Sequence, residues 1–221
     1  MKEIVLDTET TGLSIQEGHR IVEIGCIELE DSMPTKNIFH TYLNPERKVS
    51  EKALEVHGYS DEFLSKQKKF KEVVDEFLNF IKDKKIIIHN AEFDIAHLNN
   101  ELSLIGKNKI NKDLVIDTLE IAREKFPGAG ISLDALCKRY NIDNSRRNKH
   151  TAIIDCELLS KVYINLTDQK EPKLNFFKEE IIKDGDSNSS IDYSKKIVEL
   201  TDSEISNHIN FLKKNLKKNF F

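Results

Sequence analysis

The 221 residues lack several features that would settle a protein's class at once. No apolar run approaches the roughly 20 residues needed to cross a bilayer. The first residues, MKEIVLD, lead into a strand pattern without the charged-then-apolar succession of a secretory signal. The expectation is a cytoplasmic protein. Cysteine is scarce: Cys26, Cys137 and Cys156 lie far apart inside apolar patterns, with neither the paired spacing of a zinc site nor the even count of a disulfide framework. They read as small buried hydrophobes. A basic surplus is also missing. The net charge is -4, and residues 167–221 carry ten basic and ten acidic side chains, so the acidic excess lies in residues 1–166. A protein that held nucleic acid by bulk electrostatics would be basic. One that acted on it with this balance would grip it locally and would need metal ions or a partner to stay in place. There is no internal repeat.

What is present is the makeup of a soluble globular protein, 38% hydrophobic and 33% charged, long enough for one domain with a full core and an appendage. Ile4 to Leu6 reads as a short buried strand, His19 to Glu30 as a strand apolar on both faces at its start and half exposed at its end, and Asn37 to Leu43 as a third, after a turn near Asp31 to Pro34. These three would form a meander. Ser50 to His57 is a short helix stopped by Gly58, and Phe70, Val73, Val74, Phe77, Leu78 and Ile81 recur at helical spacing. Lys85 to Asn90 reads as a buried strand, Glu92 to Ile105 as a helix and Leu114 to Thr118 as a fifth strand. Helices follow over Leu119 to Lys125, over Ser132 to Tyr140, and along Ala152, Cys156, Leu159 and Tyr163 to about Leu166. Strands first, then helices interleaved with strands, predict an α/β domain with a mixed five-stranded sheet over residues 1–166. A polar linker, 167–191, and a helical tail, 192–221, come after it.

Three places carry charge that asks for an explanation. Asp7 and Glu9 stand two apart at the end of the first strand, so they project from one face. Two like charges side by side raise each other's pKa unless a cation lies between them, and carboxylate oxygens suit hard ions such as Mg2+ or Mn2+. The competing reading is an acidic turn. Asp94 follows a buried strand at the start of a helix, where α/β sheets build sites, although a helix-start acid is also favoured by the macrodipole. His150 and Asp155 are five positions apart, about 140° on a helix. His150 therefore belongs to the loop before the helix, with Thr151 near the N-cap and Asp155 in the second turn. An exposed loop histidine is the alternative.

Together, VLDTETTG at Val5, HNAEFD at His89 and HTAIID at His150 resemble the three motifs of the DnaQ-like, or DEDDh, 3′-to-5′ exonucleases, continuously over residues 1–166. EGHRIVEIGCIE, VHGYSDEFL and SLDALCKRYNIDNS are similar to the proofreading epsilon subunits of bacterial DNA polymerase III within that family. The resemblance implies a ribonuclease H-like exonuclease fold with a flexible C-terminal tail. It implies two divalent cations, Mg2+ or Mn2+, held by Asp7, Glu9 and Asp155, with Asp7 bridging and Asp94 completing the site directly or through water. His150 would take a proton from the attacking water, releasing a nucleoside monophosphate from a DNA 3′ end. The terminal-nucleotide pocket would be lined by Thr8, Thr10, Gly12, Leu13, Val56, His57 and Phe93. Gly12 would allow close backbone approach, and Leu13 with Phe93 would give apolar surface. The basic run Lys138, Arg139, Arg146, Arg147 and Lys149 is either a contact to the substrate backbone or a solvated face.

The same motifs occur in RNA-trimming relatives of the ribonuclease T and oligoribonuclease type, and a chain of this kind could also serve chiefly to stabilise a polymerase. The tail, with Ile197, Leu200, Ile205, Ile209 and Leu212 as anchors and Thr201 as cap, would bind the polymerase catalytic (alpha) subunit. Leu174, Phe176 and Phe177 stand out as apolar residues in the linker and resemble a sliding-clamp peptide.

Overall fold

The computed structural model of the chain describes residues 2–147, 149–168 and 201–215. Two units divide the chain, Met1–Leu174 and Asn175–Phe221. In the first, β1 (Lys2–Thr10), β2 (Ile21–Glu30) and β3 (Met33–Tyr42) come before three helices, α1 (Glu51–His57), α2 (Asp61–Ser65) and α3 (Phe70–Ile81). Then β4 (Lys85–Ile88), α4 (Ala91–Leu104), β5 (Val115–Asp117), α5 (Thr118–Lys125), α6 (Leu133–Arg139) and α7 (Ala152–Leu166) complete it. The sheet order is β3-β2-β1-β4-β5, antiparallel across β1, β2 and β3 and parallel across β1, β4 and β5. That is the mixed five-stranded sheet the sequence predicts.

Strand alternation sorts the core into two layers. Ile4, Leu6, Ile86 and Ile88 pack with Phe70, Val73 and Phe77 of α3 and Ile95, Leu98 and Leu102 of α4. Val5 and Ile87 face the other way, into Leu133, Leu136, Cys156, Leu159 and Val162 of α6 and α7. Because helices cover both faces, β2 is buried from Ile21 to Leu29, which corrects the half-exposed end expected of it. Its Glu28 is 3% exposed and pairs with Lys84 Nζ at 2.8 Å and Lys2 Nζ at 3.1 Å. The three cysteines are free and buried.

The meander turns more tightly than expected. Asp31 and Ser32 take positive φ of 49° and 66°, and Glu30 pairs directly with Met33. A two-residue turn of this hand matches strand twist, and Pro34 is tolerated inside β3 because that strand is an edge. The short helix α2, N-capped by Ser60, has too few residues to give a periodic signal and was not expected.

Helix α8 (Asp202–Asn215) belongs to the second unit and is described by itself. Thr201 Oγ1 accepts from Glu204 N at 3.4 Å while the Glu204 carboxylate accepts from Thr201 N at 2.9 Å, so the expected cap is a reciprocal one. Ile205 and Ile209 are exposed. The predicted anchors Ile197 and Leu200, and the clamp-like Leu174, Phe176 and Phe177, lie outside the described residues. No helix among the described residues is long and apolar enough to cross a membrane.

Candidate active site

Alternation along β1 distributes the acidic motif. Asp7 and Glu9 continue the face of Val5, toward α7, while Thr8 continues the face of Leu6, toward α4. Asp155, in the first turn of α7, comes to the first face, one turn earlier than expected. Thr151 caps that helix, its hydroxyl accepting from Ile154 N at 3.3 Å, and His150 stays in the preceding loop as predicted. Asp94 arrives from the other face: its Oδ1 accepts from Thr8 N at 3.0 Å and from Thr8 Oγ1 at 2.6 Å. The turn that delivers it has Asn90 at φ 69°, with the N–H groups of Asn90 and Ala91 both donating to the Asp117 carboxylate at 3.0 Å. Asparagine is among the few residues that take this conformation readily.

Asp7, Glu9, Asp94, His150 and Asp155 line one cleft of about 610 Å3. Within it, Glu9, His150 and Asp155 offer ligand atoms that lie within 4.8 Å of one another. Asp7 and Asp94 border the cleft outside that trio. His150, expected to transfer a proton, thus lies beside two of the expected metal-holding carboxylates.

The carboxylates strain against each other. Burial first, then Asp94, Asp155 and Glu9, pushes the Asp7 carboxyl well above the ordinary range. Glu9 is pushed up to about 8 by burial, and then by Asp155 and Glu23. Burial raises Asp94 to about 7 against the opposing bonds from Thr8. A set of buried oxygen donors held so far from their usual ionisation fits a site made for divalent cations, whose charge would return the groups to carboxylate form.

One cation of the chain itself enters the site. Arg147 Nε and Nη2 reach Asp155 Oδ1 and Oδ2, each at 2.6 Å, Nη1 reaches Asp134 Oδ2 at 2.7 Å, and Nη2 is 3.0 Å from His150 Nδ1. Burial and then Arg147 lower the His150 pKa from its ordinary value, which favours the neutral ring. The other members of the basic run are spread apart: Lys149 Nζ donates to the Glu55 carbonyl at 2.5 Å, Arg139 lies 4.3 Å over the Phe126 ring, and Arg146 is 3.6 Å from Glu157. Of the run, Arg147 alone is seen to turn inward to the acids, while Lys149, Arg139 and Arg146 have partners elsewhere in the domain. Sequence spacing alone could not reveal which arginine of the pair faces the acids.

A second cleft, of about 550 Å3, adjoins the first and is lined by all seven predicted pocket residues: Thr8, Thr10, Gly12, Leu13, Val56, His57 and Phe93. Leu13 is 82% exposed. Gly12 serves a close approach, but to the chain's own His19 ring, where a Cβ would lie 2.4 Å from Cε1. His57 is buried at the end of α1, with Nδ1 accepting from Tyr59 N at 3.0 Å and its ring stacked on that of Tyr59 at 4.8 Å. Thr8, Glu9, Leu13 and Phe93 belong to both clefts.

An exonuclease family model matches residues 4–163, the span that contains both clefts. The chain belongs to the exonuclease family. Among its relatives, DNA polymerase III subunit epsilon of Rickettsia felis is 42% identical over 224 residues, covering 98% of either chain. The protein of the same name from Escherichia coli (strain K12) is 47% identical over 173 residues, 75% of this exonuclease and 71% of that protein. In fold, the exonuclease is similar to the nuclease domain of 3′hExo, a DEDDh family member, bound to rAMP. That match has a TM-score of 0.67 at 14% identity, over 76% of this chain and 92% of the other. It is similar also to Exonuclease X in complex with 5′ overhanging duplex DNA, with a TM-score of 0.60 at 22% identity over the same shares.

Proposed function

We propose that this 3′-to-5′ exonuclease is the proofreading subunit of a replicative DNA polymerase, removing the terminal nucleotide of a DNA strand as a nucleoside monophosphate in the cytoplasm. The observation that carries the reading is the junction of the two clefts. Thr8 and Glu9 belong to both clefts, so a terminal nucleotide seated between Leu13, Val56, His57 and Phe93 would bring its phosphodiester beside the carboxylates. Asp7, Glu9 and Asp155, with Asp94 directly or through water, would hold two divalent cations, Mg2+ or Mn2+. When bound, such cations stabilise charge on both the attacking and the leaving oxygen of an in-line displacement.

The chain's own groups do the rest. Leu13 and Phe93 offer apolar surface to base and sugar, and Thr8 and Thr10 border the same cleft. Asp94 fixes the Thr8 backbone and hydroxyl at the meeting of the clefts. His150, its neutral form favoured, takes the proton of the attacking water. Its Nδ1 lone pair is the one that Arg147 Nη2 holds at 3.0 Å, so the same guanidinium that orients the ring must turn aside for that nitrogen to act.

The nuclease would occupy 1–166, with the linker 167–191 and the tail 192–221 joining it to the polymerase catalytic subunit. Leu174, Phe176 and Phe177 would contact a sliding clamp. The test is release of mononucleotides from 5′-labelled single-stranded DNA and from the matching RNA, each with Mg2+, with Mn2+ and with chelator. Metal-dependent shortening of DNA from its 3′ end supports the reading. A marked preference for RNA would instead favour the RNA-trimming branch of the family.

A further inference from the structure

Glu23 in β2 is wholly buried, yet it lies outside the acidic motifs. Its Cα is paired across the sheet with that of Glu9. A buried carboxylate is costly unless its oxygens are satisfied, and here three donors from separate parts of the chain converge on it. Oε2 accepts from Ala152 N at 2.9 Å and from Tyr59 Oη at 2.8 Å, and Oε1 lies 2.7 Å from His40 Nε2. Ala152 is the first residue of α7, whose first turn carries Asp155. Tyr59 stacks on His57, a wall of the nucleotide cleft, and Tyr42 packs edge-on against both Tyr59 and His40, at 5.1 and 4.9 Å.

The backbone around this carboxylate leaves no slack. Two residues along β2, a Cβ on Gly25 would lie 2.7 Å from the Ala152 carbonyl carbon and 2.8 Å from Ile153 N. The start of α7 thus rests directly on the strand, and the Glu23 bond fixes its position there. From the other side, His150 N donates to the Val56 carbonyl at 3.1 Å, linking the end of α1 to the loop before α7.

We infer that Glu23 is a positioning residue, whose carboxylate joins the Asp155-bearing end of α7 to the Tyr59–His57 wall and so sets the carboxylate site in register with the terminal nucleotide. It touches neither metal nor substrate in this role. The inference rests on the reading of the two clefts given above. Supporting groups behind metal ligands typically change affinity or activity by about 10- to 100-fold when removed.

The experiment compares full-length wild type, Glu23→Ala and Glu23→Gln by three readouts: Mn2+ affinity by calorimetry, kcat and KM on a short single-stranded oligonucleotide, and hydrogen exchange of the Ala152 amide. Glutamine keeps an oxygen for Tyr59 and Ala152 and can donate to His40 in its other tautomer, so it retains the geometry without the charge. The expected result is weaker Mn2+ binding and lower kcat in Glu23→Ala by about tenfold or more, as for other groups that orient metal ligands, with a faster-exchanging Ala152 amide. Glu23→Gln is expected to stay near wild type in all three. Equal losses in both variants would assign the effect to charge and overturn the inference, as would a Glu23→Ala protein indistinguishable from wild type. If Glu23→Ala does not fold, Glu23→Met keeps the side-chain volume and removes the acceptor of the Ala152 amide. Unchanged Mn2+ binding in that variant overturns the inference, and weakened binding supports it. The exchange and calorimetric readouts do not require turnover, so an inactive wild type would count against the nuclease reading alone.

Discussion

The Arg147 guanidinium spans both carboxylate oxygens of Asp155 at 2.6 Å each, with the two side chains 8% and 5% exposed. A bidentate pair so far out of water binds tightly, and breaking one partner leaves a buried charge at a cost of about 3–5 kcal/mol. Arg147→Met is therefore expected to unfold at a clearly lower temperature than wild type in chelator. Mg2+ or Mn2+ should restore part of the loss, because a cation at Asp155 replaces the missing charge. Thermal melts with and without divalent ions check this, and equal deficits in both conditions would contradict it.

The same pair separates two aspartates that the motifs treat alike. Asp7→Ala should abolish nucleotide release while leaving the metal-free fold as stable as wild type or more so, because it removes a carboxyl that burial and its neighbours hold out of its ordinary range. Asp155→Ala should also abolish release but destabilise the metal-free fold, because Arg147 loses its buried bidentate partner and keeps only the more exposed Asp134. Nuclease assays beside melts in chelator test both claims.

Stability should depend on pH in a direction that the raised carboxyls dictate. Glu9 moves from an ordinary 4.5 to about 8. For an acid whose folded pKa is raised, stability is fully present below the unfolded value and is lost as pH rises through the folded one. In chelator, the melting temperature should then fall between about pH 4.5 and 8, and Glu9→Gln should flatten that fall. A wild-type profile that rises across this window would show that the acids are not repelling one another.

His150→Ala is expected to lower kcat by about 100-fold or more, the usual scale for losing a general base, and to change Mn2+ affinity far less. The proximity of His150 to Glu9 and Asp155 makes the comparison decisive. A loss concentrated in metal affinity would make the imidazole a ligand.

Truncation after Asp168 keeps the contacts that Lys125 makes with the end of α7 and with Asp168. The truncated nuclease should hydrolyse a short oligonucleotide at the full-length rate and lose co-purification with the polymerase catalytic subunit. In the full-length chain, Leu174→Ala with Phe176→Ala should weaken clamp pull-down without changing hydrolysis. Loss of activity on truncation would make the tail part of the nuclease.

Period-two alternation alone put Asp7 and Glu9 on one face, helical spacing put α3 in the right place, and short-range hydrogen bonding chose Ser132 and Thr151 as caps. These depend on neighbours a few residues away, which a sequence displays. Asp94 meeting Thr8 across 86 positions, Arg147 turning to the acids while Arg146 does not, and Glu23 collecting donors from 17, 36 and 129 positions away depend on how helices dock on the two faces of the sheet. A charged side chain is satisfied by whichever partner the docking brings within reach. No periodicity along the chain encodes that choice, and only the packed structure makes it.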